Sequence, residues 1–404
     1  MNIKHPKTKQ ALTYFNSDEV ITIPNQFIKK PFFAMWVSNV RNIDLPVLTD
    51  LDRYKKQIID MLETAKAYHI TDIMFQVRTT NDAFYASKLN PYSRYLTGKE
   101  GLNPPIDMMR WIIEETHKAG IKFHAWCNPY RISVEKNMSI EDYLKTCDDL
   151  NYAKKHPELI VTDPEGQMIL NPASSEVKAF IIDTMVELAQ TYPIDGIHFD
   201  DYFYPYGGLS EDRNDLSYFE KRKDQSQSLG DFRREQVTDV IEGVYKAIKK
   251  VNPAVLFGVS PFGIWKTTST DPTGIPIDPK CGQSYHGQYA DAKHWVEAHM
   301  LDYIVPQVYW DFAHKLAPFA DIVRWWANVC KDSKVDLYIG HGAYRLGQED
   351  AFQDPLEIVN QISYAASFEA VKGHVFFTYN TFISKGRTHE GMQKLKEALG
   401  SVTT

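Results

Sequence analysis

The plainest chemical signal in this 404-residue chain is one run, Asp195-Gly196-Ile197-His198-Phe199-Asp200-Asp201-Tyr202-Phe203-Tyr204-Pro205. Two adjacent carboxylates close a short apolar segment, and an aromatic turn follows. Hydrolysis of a glycosidic bond needs one carboxyl kept protonated as acid and another ionised as base or nucleophile. Neighbouring strand residues point in different directions. Asp200 and Asp201 are therefore expected to divide the work, one doing chemistry and the other holding a hydroxyl or orienting its neighbour. The second catalytic carboxylate is sought in Asp82, just past the segment DIMFQV, or in Asp311, after Gln307-Val308-Tyr309-Trp310, with Asp44 a further candidate. The plainer reading of Asp200 and Asp201 is a helix cap or a surface turn.

Around the acids stand residues suited to holding a sugar. Arg78, Asn128, Arg131, Gln307, Arg345 and Asn380 offer contacts to hydroxyl, carboxylate or acetamido groups. Trp36, Trp126, Trp265, Tyr309, Trp310 and Tyr379 offer flat faces on which sugar rings stack. His124 and His198 would bond a sugar hydroxyl or a catalytic carboxylate, or serve as satisfied interior histidines. With Asp200 they would make a possible metal cluster. The paired HxH of metal-dependent amidohydrolase barrels is missing, so no metal and no other cofactor is expected.

Positioning such residues takes a scaffold, and the chain alternates short apolar runs with helix-period stretches. The strand-like runs are 32–37, 72–77, 121–127, 196–200, 255–260, 303–309, 335–339 and 374–379; the helices between them lie near 52–68, 105–119, 174–190, 231–250, 288–299, 319–331 and 355–370, with a last one at 388–399. Eight strand–helix units imply parallel pairing through right-handed crossovers and close most simply into a (β/α)8 TIM barrel. One register of each strand should face the helices and be apolar. Ile73, Phe75, Val77, Phe123, Ala125, Ile197 and Phe199 satisfy that demand. The other register collects Trp36, Ser38, Gln76, Arg78, His124, Trp126, His198, Ser260, Gln307, Thr378 and Asn380 towards the C-terminal strand ends. Long loops follow the third, fourth and fifth strands (129–173, 202–230 and 261–287) and are expected to build the site. The expected organisation is an N-terminal extension over 1–30 and a single barrel domain over 31–404.

Composition narrows the partners. With 45 basic against 52 acidic side chains, a net charge of −7, the chain lacks the basic excess of nucleic-acid binders. Twenty-three Tyr, 21 Phe and 8 Trp favour a carbohydrate partner. The four cysteines, Cys127, Cys147, Cys281 and Cys330, show no metal or disulfide spacing. No apolar run reaches a membrane span and no signal peptide is visible, so a cytoplasmic protein without a membrane partner is expected, with its oligomeric state open.

Six segments, AMWVSNVRNIDLP, QVRTTNDAFYASKLNPYSRYLTG, GIKFHAWCNPYR, DGIHFDDYFYP, SYHGQYADAKHWV and DYIVPQVYW, occur in an order and spacing that resemble the bacterial glycosyl-hydrolase-like family 10 over roughly residues 30–385. The resemblance implies a barrel acting on bacterial polysaccharide; some relatives are cell-envelope lipoproteins held to cleave peptidoglycan strands between amino sugars. It carries functional positions onto Asp82, Asn128, Asp200, Asp201, Gln307 and Tyr309. Two departures stand out: many relatives carry an export signal, and Thr79-Thr80-Asn81 replaces their usual proline- and glycine-containing turn. A cytoplasmic member would process imported oligosaccharides or wall-recycling fragments. The readings carried forward are an O-glycosidase, a non-catalytic carbohydrate-binding barrel, and a metal-dependent sugar hydrolase or deacetylase.

Overall fold

The computed structural model describes residues 1–348 and 350–401. Eight parallel strands close into a barrel: β1 (Phe32–Val37), β2 (Asp72–Arg78), β3 (Lys122–Cys127), β4 (Gly196–Phe199), β5 (Leu256–Val259), β6 in two pieces (Tyr303–Ile304 and Gln307–Val308), β7 (Asp336–His341) and β8 (Val371–Phe376). Each pairs with its sequence neighbours, and β8 returns to β1 through Phe32↔Gly373 and Met35↔Phe376. The helices between them are α1 (Leu51–Ala67), α2 (Met108–Lys118), α3 (Ser175–Thr191), α4 (Leu229–Val251), α5 (Ala292–Glu297), α6 (Phe319–Cys330), α7 (Glu357–Ala366) and α8 (His389–Gly400). Asp50, Asp107, Ser174 and Ser228 cap α1 to α4, each accepting a first-turn amide that would otherwise lack a partner.

Alternation along the strands separates two cores. Ile73, Phe75, Val77, Phe123, Ala125, Ile197 and Phe199 pack between sheet and helices, as expected. Ala34, Trp36, Met74, Trp126, Tyr303, Val305, Tyr338 and Val375 fill the barrel itself. Small residues make room for this filling: a Cβ on Gly196 would stand 2.3 Å from His124 Nδ1, and one on Gly258 would stand 2.2 Å from the Tyr303 ring. β6 breaks at Val305–Pro306 because proline has no amide to give the ladder; the Pro306 carbonyl still accepts from the Gly340 amide at 3.0 Å.

Two expectations need correction. Arg78 does not face the barrel axis. The register of β2 against β3 shifts between Gln76 and Arg78, a bulge that pairs Arg78 with the outward-facing Cys127. Tyr379 is not at a strand end, since β8 stops at Phe376 and Tyr379 opens a short helix, Tyr379–Ile383. The long loop after β3 holds an antiparallel hairpin of Ile160–Thr162 and Met168–Leu170.

Residues 1–30 form a small antiparallel arrangement through the bridges Asn2↔Thr22, Lys4↔Ala11 and Thr13↔Val20. It docks on α6 and α7: Tyr14 and Tyr364 hydroxyls lie 2.9 Å apart, the Phe15 amide donates to Asp321, and Arg324 pairs with Glu19. Among the described residues, no helix is long and apolar enough to cross a membrane.

Candidate active site

β4 ends at Phe199, so Asp200 and Asp201 lie beyond the pleat, on the bend that follows. Strand alternation therefore no longer separates them. Both line one cavity of about 260 Å³ at the C-terminal mouth of the barrel. Trp36, Gln76, Trp126, Arg131, Gln307 and Tyr309 line it with them, as do Ser38, Tyr202, Tyr206, Ser260 and Phe377.

The two carboxyls sit in different environments. One Asp200 oxygen accepts from Trp126 Nε1 at 3.2 Å and from the Asn128 side-chain amide; the other accepts from the Tyr202 backbone amide at 3.2 Å. The orientation of Asn128 follows from a chain of donors. Backbone amides of Asn39 (2.8 Å) and Val40 (2.9 Å) point at Gln76 Oε1, so Gln76 Nε2 donates to Asn128 Oδ1 at 2.7 Å. That leaves the Asn128 amide nitrogen to face Asp200. Burial raises the Asp200 pKa above its ordinary value, and the Arg131 charge with the three donors pulls the other way. Asp201 accepts from Gln307 Nε2 at 3.1 Å and from the Tyr206 hydroxyl. Burial and then the charge of Asp200 push its pKa up to about 7. Both carboxyls are thus raised, and the Asp200 charge adds to burial in raising Asp201.

Beneath the cavity runs a second polar chain. Trp36 Nε1 donates to His198 Nε2 at 3.2 Å, which places the His198 proton on Nδ1, facing Tyr303 Oη at 3.2 Å. Tyr303 then donates to His124 Nδ1 at 3.1 Å, and His124 Nε2 donates to Asp72 at 3.0 Å. Burial first, and His124 second, hold the His198 pKa well below its ordinary value, so it stays neutral. Ser260 Oγ lies 3.0 Å from the same Nε2. The two histidines are thus satisfied interior residues under the floor, with Asp72 and Tyr303 as partners, and they do not gather on Asp200. Among the described residues, no group of three or more His, Cys, Asp or Glu is placed to hold a metal ion.

Other candidates lie off the cavity. Asp82 is fully buried in the loop after β2, where it accepts from the amides of Thr79 (3.1 Å) and Thr80 (3.0 Å) and from the Thr79 hydroxyl. Asp311 caps the turn after β6, accepting from the Ala313 amide at 2.9 Å, with Glu357 nearby. Arg78 binds the Asn128 and Pro129 carbonyls and lies over the Phe180 ring. Arg345 donates to the Tyr309 carbonyl at 2.7 Å, behind the cavity wall. Trp265 stacks on Trp325 and bonds Asp291; Trp310 packs edge-on to Phe262. Tyr379 is buried, and Asn380 donates its backbone amide to Asp44 at 2.8 Å.

Tyr202, Tyr206 and Phe377 line the cavity without having been singled out as site residues. The first two belong to the aromatic turn that continues the Asp-Asp motif to Tyr206.

The sequence model of the family described as "Glycosyl hydrolase-like 10" matches residues 31–357. The chain is 36% identical over 368 residues to "Glycosyl hydrolase YngK" of Bacillus subtilis, covering 89% of this chain and 71% of that protein. It is 32% identical over 391 residues to "Glycosyl hydrolase DigH" of Escherichia coli K12, covering 92% and 88% respectively. In fold it resembles the PgaB (BpsB) glycoside hydrolase domain from Bordetella bronchiseptica, with a TM-score of 0.56 at 10% identity over 93% of this chain and 99% of that one.

Proposed function

We propose, from the premise that the chain belongs to the glycosyl hydrolase-like 10 family, that it hydrolyses O-glycosidic bonds of a bacterial amino-sugar glycan. A peptidoglycan-type strand, or an oligosaccharide derived from one, is the substrate class. The observation that carries this reading is the split between two carboxyls in one cavity, Asp200 held by three donors and Asp201 raised to about 7.

Asp201 is the general acid. Its proton is available at neutral pH and passes to the glycosidic oxygen as the bond to the anomeric carbon breaks. Asp200, ionised, acts as base or nucleophile on the anomeric side. Trp36 and Trp126 form apolar faces for the ring, and both indole nitrogens are already engaged, which fixes the walls before substrate enters. Tyr309, whose pKa burial drives far up, keeps its proton and remains a donor beside the acids. That suits it to an acetamido or hydroxyl oxygen.

The test is the release of new reducing ends from N-acetylglucosamine oligomers and from peptide-free peptidoglycan strands, followed by mass spectrometry. Asp200→Asn and Asp201→Asn should each lower turnover by about 10²–10⁴ while the circular dichroism spectrum stays unchanged. Wild-type rates in both variants would sink the assignment.

A further inference from the structure

Next to the acid cavity lies a second one of about 500 Å³, between the turn after β4 and the tip of the Ile160–Thr162/Met168–Leu170 hairpin. The two cavities share three lining residues, Arg131, Tyr202 and Tyr206. Arg131 is only 5% exposed, and among the described residues its Nε has no partner and its guanidinium makes one hydrogen bond, a 3.4 Å contact to the Thr79 carbonyl. Among the described residues, no carboxylate lies within ion-pair distance of it. A buried guanidinium with unused donors at the junction of two cavities is built to receive oxygen atoms from outside.

The aromatic side chains give this junction a direction. The Arg131 guanidinium covers the Tyr202 ring at 4.2 Å, and Tyr202 meets Tyr206 edge-on at 5.9 Å. Tyr206 is 51% exposed, and its hydroxyl holds the acid Asp201. Tyr206 thus links Asp201 to the outer cavity, whose lining it shares. That cavity is also preformed. The hairpin tip is fixed by Asp163, whose carboxylate accepts the Glu165 and Gln167 amides at 2.9 and 2.8 Å, and by Lys136 pairing with Glu165.

From this geometry we infer that the outer cavity is the leaving-group subsite, which binds the next sugar of a chain while its neighbour occupies the acid cavity. The inference rests on the glycosidase reading above. In the step, the C–O bond between the two sugars breaks, the departing oxygen takes the Asp201 proton, and water supplies hydroxide to the anomeric carbon and a proton back to Asp201. Arg131 donates to oxygens of the chain where it crosses from one cavity to the other. An enzyme so built favours leaving groups that are themselves sugars.

Filling the outer cavity tests this. Gly207 lines it and has an ordinary backbone conformation; a Cβ there would meet only Pro164 Cδ at 3.6 Å. Gly207→Phe should lower kcat/KM on N-acetylglucosamine oligomers at least about tenfold more than on an aryl N-acetylglucosaminide, whose leaving group needs no sugar site. Gln167→Trp, from the opposite wall, should do the same and serves if the first variant melts early. Equal losses on both substrates, or no loss on either, would overturn the subsite.

Calorimetry with Asp201→Asn protein separates the two readings. Oligomer affinity that rises with chain length, and loses that rise when Gly207→Phe is added, supports the subsite even if no substrate is cleaved. Length-independent binding, or no binding, overturns it whether or not turnover is seen.

Discussion

Replacing Asp201 by asparagine should make the protein more stable, and increasingly so as the pH rises. The Asp201 carboxyl moves from an ordinary value near 3.8 to about 7 in the folded chain. For a carboxyl raised on folding, the folded state holds the proton more tightly, so ionisation opposes folding. The penalty is absent below the unfolded pKa, grows as pH passes from about 4 to about 7, and is complete above that. Each factor of ten in proton affinity is worth about 1.4 kcal/mol. The penalty is then about 2 kcal/mol at pH 5 and about 4 kcal/mol at pH 8. An asparagine amide can keep both neighbours, its oxygen accepting from Gln307 and its nitrogen donating to the Tyr206 oxygen, and it carries no charge to repel Asp200. Urea unfolding of wild type and variant at the two pH values measures the gap. Other raised carboxyls, such as Asp44 and Asp321 at about 6 and Glu357 at about 8, are common to both proteins and cancel. A gap that is the same at both pH values, or a variant less stable at pH 8, would refute the reasoning.

The same proton sets activity: kcat/KM should fall as pH rises through about 7, where Asp201 loses it, and a flat profile from pH 6 to 9 would contradict its role as acid. Gln307→Leu removes a donor that favours ionised Asp201, so the alkaline limb should move to higher pH by the equivalent of about 1 kcal/mol; an unmoved or lowered limb counts against the contact. His198→Phe leaves the Trp36 indole N–H buried without its acceptor, while Tyr303 keeps its bond to His124. It should cost about 1–3 kcal/mol, read by urea unfolding, and an unchanged midpoint would show that this bond beneath the floor carries no stability.

The barrel was legible because strand alternation is a local property. Ile73-Phe75-Val77 and Ile197-Phe199 announce their helix-facing side with no help from the rest of the chain. The position of Asp200 and Asp201 was legible for a related reason: a strand end carrying both marks the mouth of a barrel. Arg78 was not, because a one-residue bulge reverses facing and leaves no trace in a pattern of apolar residues. Asp82 and Asp311 have the right residue type at the right strand ends, yet their carboxylates satisfy nearby backbone amides. Residue type at a strand end does not say whether a side chain turns into the cavity or back onto its own loop. Trp265 and Trp310 were misplaced by the same ambiguity, since an aromatic on a long loop packs against other loops as readily as it faces a ligand. The hairpin that walls the outer cavity had a signal in Asp163-Pro164-Glu165-Gly166, a turn sequence with Gly166 at φ +85°, between two short apolar triplets.

The most direct measurement is a carbon NMR titration of the aspartate side-chain carboxyls, with Asp200→Asn and Asp201→Asn used to assign the two resonances. The expected result is one carboxyl of the pair, Asp201, that titrates near neutral pH while Asp200 is already ionised. Two carboxyls that both ionise below about pH 5 would contradict the division of labour on which the proposed chemistry stands.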